Sequence, residues 1–320
     1  MALSCVMLSS CSGVQSTLDP AGPEATSVAT LFYVMVIGGG LIWIGVIWVL
    51  FHAVRRSEPY SDKGAGRVIL WCGAIVPVVV LAGLLTYAVW LMPDLRPWFR
   101  DEPGAFQRIE VSGEQFWWRI RYLDFDGDVV LETANEVVMP VGEPVLFILR
   151  TPDVIHSFWI PSLGGKMDMI PGRTNQMVLE ATRPGNYRGV CAEFCGLSHA
   201  LMAFSVKALS GPDFDAWLTS RRSGDAVTKS KEGLILFLRH GCDACHAIDG
   251  TKAMGTIGPN LSAFGARRSV GAGVLENTPD NIARFIRQPQ VVKPGVHMPS
   301  FAMLPEDDVE QIALYLKGLR

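Results

Sequence analysis

Four side chains able to bind a soft metal fall within twelve residues, in the run Cys191-Ala-Glu193-Phe-Cys195-Gly-Leu-Ser-His199-Ala-Leu-Met202. Thiolates and a thioether are soft donors that suit copper, and imidazole suits it too. Two Cys and two His alone would make a tetrahedral zinc site, but zinc gains little from the neutral thioether of Met202. A mononuclear blue-copper centre needs one thiolate. Two in one loop are the number that bridges a pair of copper ions and spreads one unpaired electron over both, so that geometry changes little on reduction. That property suits electron transfer rather than substrate binding. A second imidazole must come from elsewhere, and His156, in Asp153-Val-Ile-His156-Ser-Phe-Trp, is the only other histidine between residues 97 and 210. The competing reading is a Cys191–Cys195 disulfide with His156 and His199 as ordinary packed residues, and it gives no reason for Met202.

A second cluster, Gly241-Cys242-Asp-Ala-Cys245-His246, has the spacing for covalent haem attachment: the two thiols add to the vinyl groups and His246 takes the proximal iron position. Gly258-Pro259-Asn260-Leu261 follows it, and Met298-Pro299-Ser300-Phe301 precedes the last helical run. Met298 is the expected distal ligand, ahead of Met254 and Met303. A His/Met pair raises the haem potential. A haem so ligated has no open coordination position, which argues against peroxidase or gas-binding chemistry. His240 and His297 neighbour ligands without the required spacing and read as surface residues.

These clusters must be carried by a chain of 320 residues that is 49% hydrophobic and 18% charged, too apolar for a wholly soluble protein. Its net charge of -3 gives no basic stripe for nucleic acid. Residues 25–54 and 68–93 contain no Asp, Glu, Lys or Arg, and each run exceeds the roughly 20 residues that cross a bilayer. Between them Arg55, Arg56, Lys63 and Arg67 outweigh Glu58 and Asp62, so this loop is expected in the cytoplasm and both termini outside. The segment 1–24 reads as signal-like, and Met7-Leu8-Ser9-Ser10-Cys11 has the spacing of a lipoprotein cleavage box, which would make Cys11 the lipidated residue; an ordinary exported thiol is the equal alternative. Cys5 and Cys72 have no evident chemistry.

After residue 97, short runs rich in Val, Ile, Phe and Trp predict strands over 108–111, 115–122, 129–133, 145–150, 155–160, 176–180, 187–190 and 203–208, an antiparallel sandwich or barrel. Residues 211–230 read as a linker. From 231 the period becomes helical, with helices expected at 232–240, 279–288 and 305–319. Residues 101–215 hold 16 acids against 9 bases, and 231–320 hold 9 against 10, so the sheet segment is the acidic one.

Together the copper-type loop, His156 and the two apolar runs resemble subunit 2 of the haem-copper cytochrome c oxidases over residues 25–210. Residues 231–320 resemble class I cytochromes c, and the combination resembles the cytochrome-c-fused oxidases. The resemblance implies a multidomain membrane protein: a transmembrane helix hairpin over 25–96, an all-β cupredoxin-like sandwich over 97–210, the linker, and an all-α cytochrome c domain over 231–320. It implies a binuclear copper A centre bridged by Cys191 and Cys195, with His156 and His199 terminal and Met202 and the Glu193 carbonyl as weak ligands. Magnesium at the interface with subunit 1 would use the Glu193 side chain. Gly164-Gly-Lys-Met-Asp168-Met-Ile-Pro-Gly-Arg173 would face that subunit's haems, although Asp168 and Arg173 as a local ion pair is an equal alternative.

The implied activity is electron input to cytochrome c oxidase, with oxygen reduction and proton pumping in subunit 1 and no catalytic residue for oxygen in this chain. The implied partners are subunits 1 and 3, membrane lipid, and an external donor, either a quinol-cytochrome c oxidoreductase or a cytochrome c. The implied location is the bacterial cell membrane, with the copper and haem domains outside. Two positions depart from the family. Phe116 stands where the first aromatic of Gln115-Phe116-Trp117-Trp118 is usually a tryptophan that receives electrons, and Leu70 stands where many members carry a glutamate near a proton channel. Nitrous oxide reductase shares the copper centre but needs a histidine-rich cluster that six histidines cannot supply. A membrane-anchored copper carrier or redox sensor is the non-enzymatic alternative.

Overall fold

A computed structural model describes residues 12–55, 61–92, 107–222 and 231–320. Cys5 and Cys11, and with them the lipidation site, lie outside the described residues. The chain divides into two compact units, one spanning Ser27–Asp101 and the other Met1–Thr26 together with Glu102–Arg320.

In the first unit, apolar side chains cover helix α1 (Pro23–Arg55) and a second helix made of α2 (Asp62–Leu70), a π-helical turn at Trp71–Ile75 and α3 (Val76–Leu91). Both are long and apolar enough to cross a membrane. Ser61 caps α2, its hydroxyl accepting from the Gly64 amide, which satisfies one of the donors a helix start leaves open.

The second unit begins with residues that run along the sandwich: Ala21 donates to the Ser162 carbonyl and its own carbonyl accepts from Thr182. The sandwich holds ten strands: β1 (Gln107–Glu114), β2 (Trp117–Leu123), β3 (Val129–Ala134), β4 (Glu136–Pro140), β5 (Val145–Arg150), β6 (His156–Trp159), β7 (Lys166–Met169), β8 (Asn175–Leu179), β9 (Gly185–Cys191) and β10 (Ala203–Leu209). They form two sheets, in the orders β3-β2-β1-β5-β8 and β4-β10-β9-β6-β7. The expectation of an antiparallel arrangement needs correction, because β1 pairs parallel with β5 and β4 with β10. Strand β4 and strand β7 were also absent from the sequence expectation.

Alternation on β2 shows how the core is filled. Trp118, Ile120 and Tyr122 point inward and are fully buried. Phe158 stacks on Phe204 at 4.8 Å, and Trp118 meets Phe204 edge-on at 5.1 Å; such pairs add about 0.5–1.5 kcal/mol each beyond their buried area. Gly189 lies against the Phe204 ring so closely that a Cβ there would overlap it at 2.0 Å. The intervening Arg119 is also buried, satisfied by Glu114 at 2.7 Å and Glu132 at 2.8 Å.

The expected linker 211–230 is corrected as well. Residues Gly211–Arg222 form α4, capped by Ser210, with Phe214 buried in the sandwich core and Trp217 packed against Tyr122 at 5.2 Å. Residues 223–230 of that segment lie outside the described residues.

Beyond them, α5 (Lys231–Arg239), α6 (Pro279–Arg287), α7 (Pro289–Val292) and α8 (Glu306–Gly318) enclose a separate core, with a small hairpin of β11 (Ser269–Val270) and β12 (Leu275–Glu276). Here α5 crosses α8 at Gly233, where a Cβ would sit 2.3 Å from that of Tyr315. His297 is exposed as expected, but His240 is mostly covered and paired with Asp308 at 2.8 Å.

Candidate metal centres

The end of β9, the start of β6 and the loop before β10 bring the soft donors together. Ligand atoms of His156, Cys191 and Cys195 lie within 4.8 Å of one another, and all three residues are buried. Cys191 Sγ stands 3.9 Å from Cys195 Sγ and 3.8 Å from His156 Nδ1, so both thiols are free and no disulfide joins them. His199 Nδ1 and Met202 Sδ approach Cys195 at 3.7 Å and 3.9 Å. The Glu193 carbonyl lies 3.2 Å from Cys191 Sγ. His199 thus stands on the Cys195 side of the cluster, away from His156.

Supporting groups orient the donors. Asp153 Oδ1 accepts from His156 Nε2 at 2.9 Å, which turns Nδ1 toward the sulfur, the arrangement that carboxylates impose on metal-binding imidazoles. Burial alone would raise the Asp153 carboxyl, but bonds from His156 and the Gln115 and Val154 amides hold it at about 2. Burial opposes a charge on His156, and Asp153 followed by Cys191 overcomes it, lifting the imidazole to about 9. The two thiols share one charge: the hydrogen bond from Cys195 favours the Cys191 thiolate and disfavours its own. Gln115 Nε2 also donates to the Cys195 carbonyl at 2.6 Å, and a Cβ on Gly113 would press on the His156 ring at 3.0 Å. Two thiols, two imidazoles and a thioether, with room left for the ring, fit a copper pair.

Glu193 and Asp168 behave differently. Both carboxylates are about half exposed and face Lys166, at 4.0 Å and 3.4 Å. Among the described residues Asp168 pairs with Lys166 rather than with Arg173.

In the helical domain Cys242 and Cys245 are free and half-buried beside His246. His246 Nδ1 donates to the Pro259 carbonyl at 2.9 Å, which leaves Nε2 for an iron. Burial pushes this imidazole's pKa down and keeps it neutral. Gly258 is a cradle for the ring, since a Cβ there would stand 2.5 Å from His246 Cε1. Met298 packs against the edge of the same core, whereas Met254 and Met303 are exposed. This donor set fits a covalently attached haem.

The two domains touch through these loops. Ser198 Oγ donates to the Pro294 carbonyl at 2.6 Å, and the Ala203 amide donates to the Ala272 carbonyl. Lys293 Nζ donates to the Leu201 and Gly271 carbonyls, at 3.0 Å and 2.7 Å. Gly295, at φ 79°, lies over Leu197 and Phe116, where a Cβ would stand 3.2–3.3 Å from both side chains. Further out, Arg119 donates to the Thr256 carbonyl and the Arg268 amide to Glu136. Among the aromatics named from sequence, Phe116 and Trp118 are buried and Trp117 is half-buried under the Arg119 guanidinium. Sequence reasoning missed Asp153, Gln115 and Lys293. An acid three residues before a candidate ligand was the available signal for Asp153.

Residues 123–209 match the family described as cytochrome C oxidase subunit II, periplasmic domain, and residues 230–320 match cytochrome c. A cytochrome c oxidase subunit 2 from Alkalihalophilus pseudofirmus is 35% identical over 98% of this chain and 94% of its own length. The chain belongs to the cytochrome c oxidase subunit 2 family. The Bacillus subtilis cytochrome c oxidase subunit 2 is 31% identical over the whole of this chain and 96% of its own. A crystal structure of the periplasmic domain of subunit II of cytochrome oxidase from Bradyrhizobium japonicum is 30% identical, covers 38% of this chain and 96% of that one, and has a TM-score of 0.35. As a family member with a cytochrome c domain, the chain serves electron transfer in a haem-copper oxidase, works with other oxidase subunits, and is a membrane protein with an outward domain. The oxidase domain implies copper A, and the cytochrome domain implies haem c.

Proposed function

We propose that this chain is the electron-input arm of its oxidase, with the donor haem held on the same polypeptide as the acceptor copper. In this reading Cys191, Cys195, His156 and His199 would hold the copper pair, with Met202 and the Glu193 carbonyl as weaker donors. Cys242 and Cys245 would attach haem c, and His246 and Met298 would hold its iron. When bound, these groups supply one-electron carriers between an external donor and subunit 1, where oxygen is reduced to water and protons are pumped.

The chain's own residues do the positioning. The observation that carries the reading is the run from Lys293 to Met298, which lies on the copper loop at Leu197, Ser198 and Leu201, covers Phe116 before β2, and ends at the methionine proposed for the iron. Phe116 is covered by Gly295, so an external cytochrome would deliver to the tethered domain and not to the usual aromatic. The half-exposed Glu193 carboxylate, beside Lys166 and the Asp168 loop, would share magnesium with subunit 1. Subunit 3, membrane lipid and a quinol-cytochrome c oxidoreductase or a cytochrome c complete the partners. Both termini and both cofactor domains lie on the outer face of the bacterial cell membrane, with the loop carrying Lys63 and Arg67 inside.

Metal analysis and electron paramagnetic resonance of the purified full chain test this. Two coppers showing hyperfine coupling to both nuclei, plus one low-spin haem, are expected. One copper, zinc or a Cys191–Cys195 disulfide would remove the copper reading and leave a membrane-bound cytochrome c.

A further inference from the structure

The loop that carries copper ligands and the strap that carries the expected iron ligand meet at one hydrogen bond. Ser198 stands directly before His199 and is fully buried. Its hydroxyl donates to the Pro294 carbonyl at 2.6 Å, and Pro294 opens the strap that runs to Met298. Packing reinforces the contact: Gly295 closes on Leu197 and on the Phe116 ring, and Gly196 lies against the same ring. The strap is held at its two ends. Gln290 brackets Gly295 and Val296, while Ser300 and Phe301 bond back to the Arg287 and Ile286 carbonyls. Among the described residues His297 and Met298 make no hydrogen bond. Met298 is therefore placed by whatever holds those ends, and at the upstream end the copper loop supplies one of the bonds.

We propose that Ser198 couples the two ligand loops: order in the copper loop passes through the Ser198–Pro294 bond to the strap and favours Met298 on the iron. The inference rests on the copper and haem readings given above. With Cys195, His199 and Met202 held by copper, the loop is fixed on both sides of Ser198 and its hydroxyl stays aimed at Pro294. With those donors unengaged the loop is freer, and the bond is made for less of the time. The two-state element is the upstream end of the strap, bonded or released, and both sites bias it. Linkage makes the effect reciprocal. By whatever factor copper favours the Met298–iron bond, that bond favours copper. Ser198 is a positioning residue, because its hydroxyl is taken up by Pro294 and is not a ligand.

Carbon monoxide tests this on the purified full chain. On a reduced haem it takes the position that Met298 must vacate, and its apparent affinity scales with the fraction vacated. One net hydrogen bond changes that fraction roughly fivefold. Removing copper from wild-type protein with a chelator is therefore expected to tighten carbon monoxide binding about fivefold, and saturating carbon monoxide to weaken copper binding about fivefold. In Ser198→Ala both factors should fall below about twofold, with the copper-loaded variant binding carbon monoxide as tightly as copper-free wild type. Ser198→Thr, which keeps the donor, should restore most of both. Equal carbon monoxide affinities with and without copper in wild type, a comparison that needs no variant, would overturn the proposal, and so would a Ser198→Ala chain that keeps the full copper effect. Wild-type protein that takes up no copper pair, or whose reduced haem is already five-coordinate before carbon monoxide is added, would instead overturn the readings beneath it. Metal content and the optical spectrum of the reduced haem tell these failures apart.

Discussion

The two candidate centres are built in opposite ways. In the sandwich, His156, Cys191, Cys195 and Met202 are buried, braced by Asp153 and Gln115, and roofed by an aromatic core that is complete without a metal. In the helical domain, Cys242, Cys245, His246 and Met298 are only partly buried, and Met254, Ile257 and Met303 face outward. The first site is a rigid mould into which an ion fits. The second is a fold that a large apolar cofactor finishes, so loss of each group should have different structural consequences.

The largest expected effect tests that contrast directly. Chain matured without haem, or carrying Cys242→Ser with Cys245→Ser, should lose at least about 4 kcal/mol of stability in the helical domain, the contribution of a ligand at a thousandfold its dissociation constant. Copper removal by a chelator should leave the sandwich folded. Calorimetry resolving the two transitions checks both, and equal losses would break the comparison.

Next is Asp153→Asn, expected to weaken copper binding by about 10–100-fold, the usual effect of removing a carboxylate behind a ligating imidazole. The pH dependence has a definite sign. In metal-free protein the Asp153 carboxyl sits at about 2, below its ordinary value, so its contribution is present above about 3.9 and lost as pH falls through about 2. His156 sits at about 9, above its ordinary value, so its contribution is full below about 6.5 and lost as pH rises through about 9. Metal-free stability should therefore be greatest between those limits by about 2 kcal/mol relative to Asp153→Asn. Copper affinity should rise from pH 6.5 to 9 as the metal displaces the imidazole proton. Titration calorimetry at several pH values measures both.

Phe116→Trp should cost about 1–3 kcal/mol by overpacking, because Gly196 and Gly295 already close on the ring. Haem-to-copper electron transfer should not accelerate; flash photolysis showing a faster rate would restore the aromatic as a conduit. The smallest effect is that of Gly295→Ala, about 1–2 kcal/mol for a non-glycine residue in the left-handed region, visible as faster hydrogen exchange at Ala203.

How much of this was legible in sequence depended on whether the signal was local. The ligand runs were visible because loop spacing alone presents the donors, and eight strands were visible because alternation is periodic. Parallel pairing of β1 with β5 was not, since nothing in Gln107–Glu114 encodes a partner beyond the next two strands. Strand β7 was too short, and its Lys166-Met-Asp168-Met run was read as a partner-facing loop. Helix α4 did carry a signal in Ser210 and Asp213, a capping pair just before Phe214 and Trp217, but the polar composition around it masked this. Lys293 was invisible, because a lone lysine in a loop acquires meaning only when a second domain closes over it.

The strand order also sets a timetable for biogenesis. Strand β10 lies between β4 and β9 and joins them, so the second sheet has a gap until Ala203–Leu209 are in place. A chain threaded outward from its amino terminus delivers residues 191–202 immediately before that closing strand. The copper loop is thus among the last parts of the sandwich to be laid down, and it precedes the haem domain in the order of synthesis.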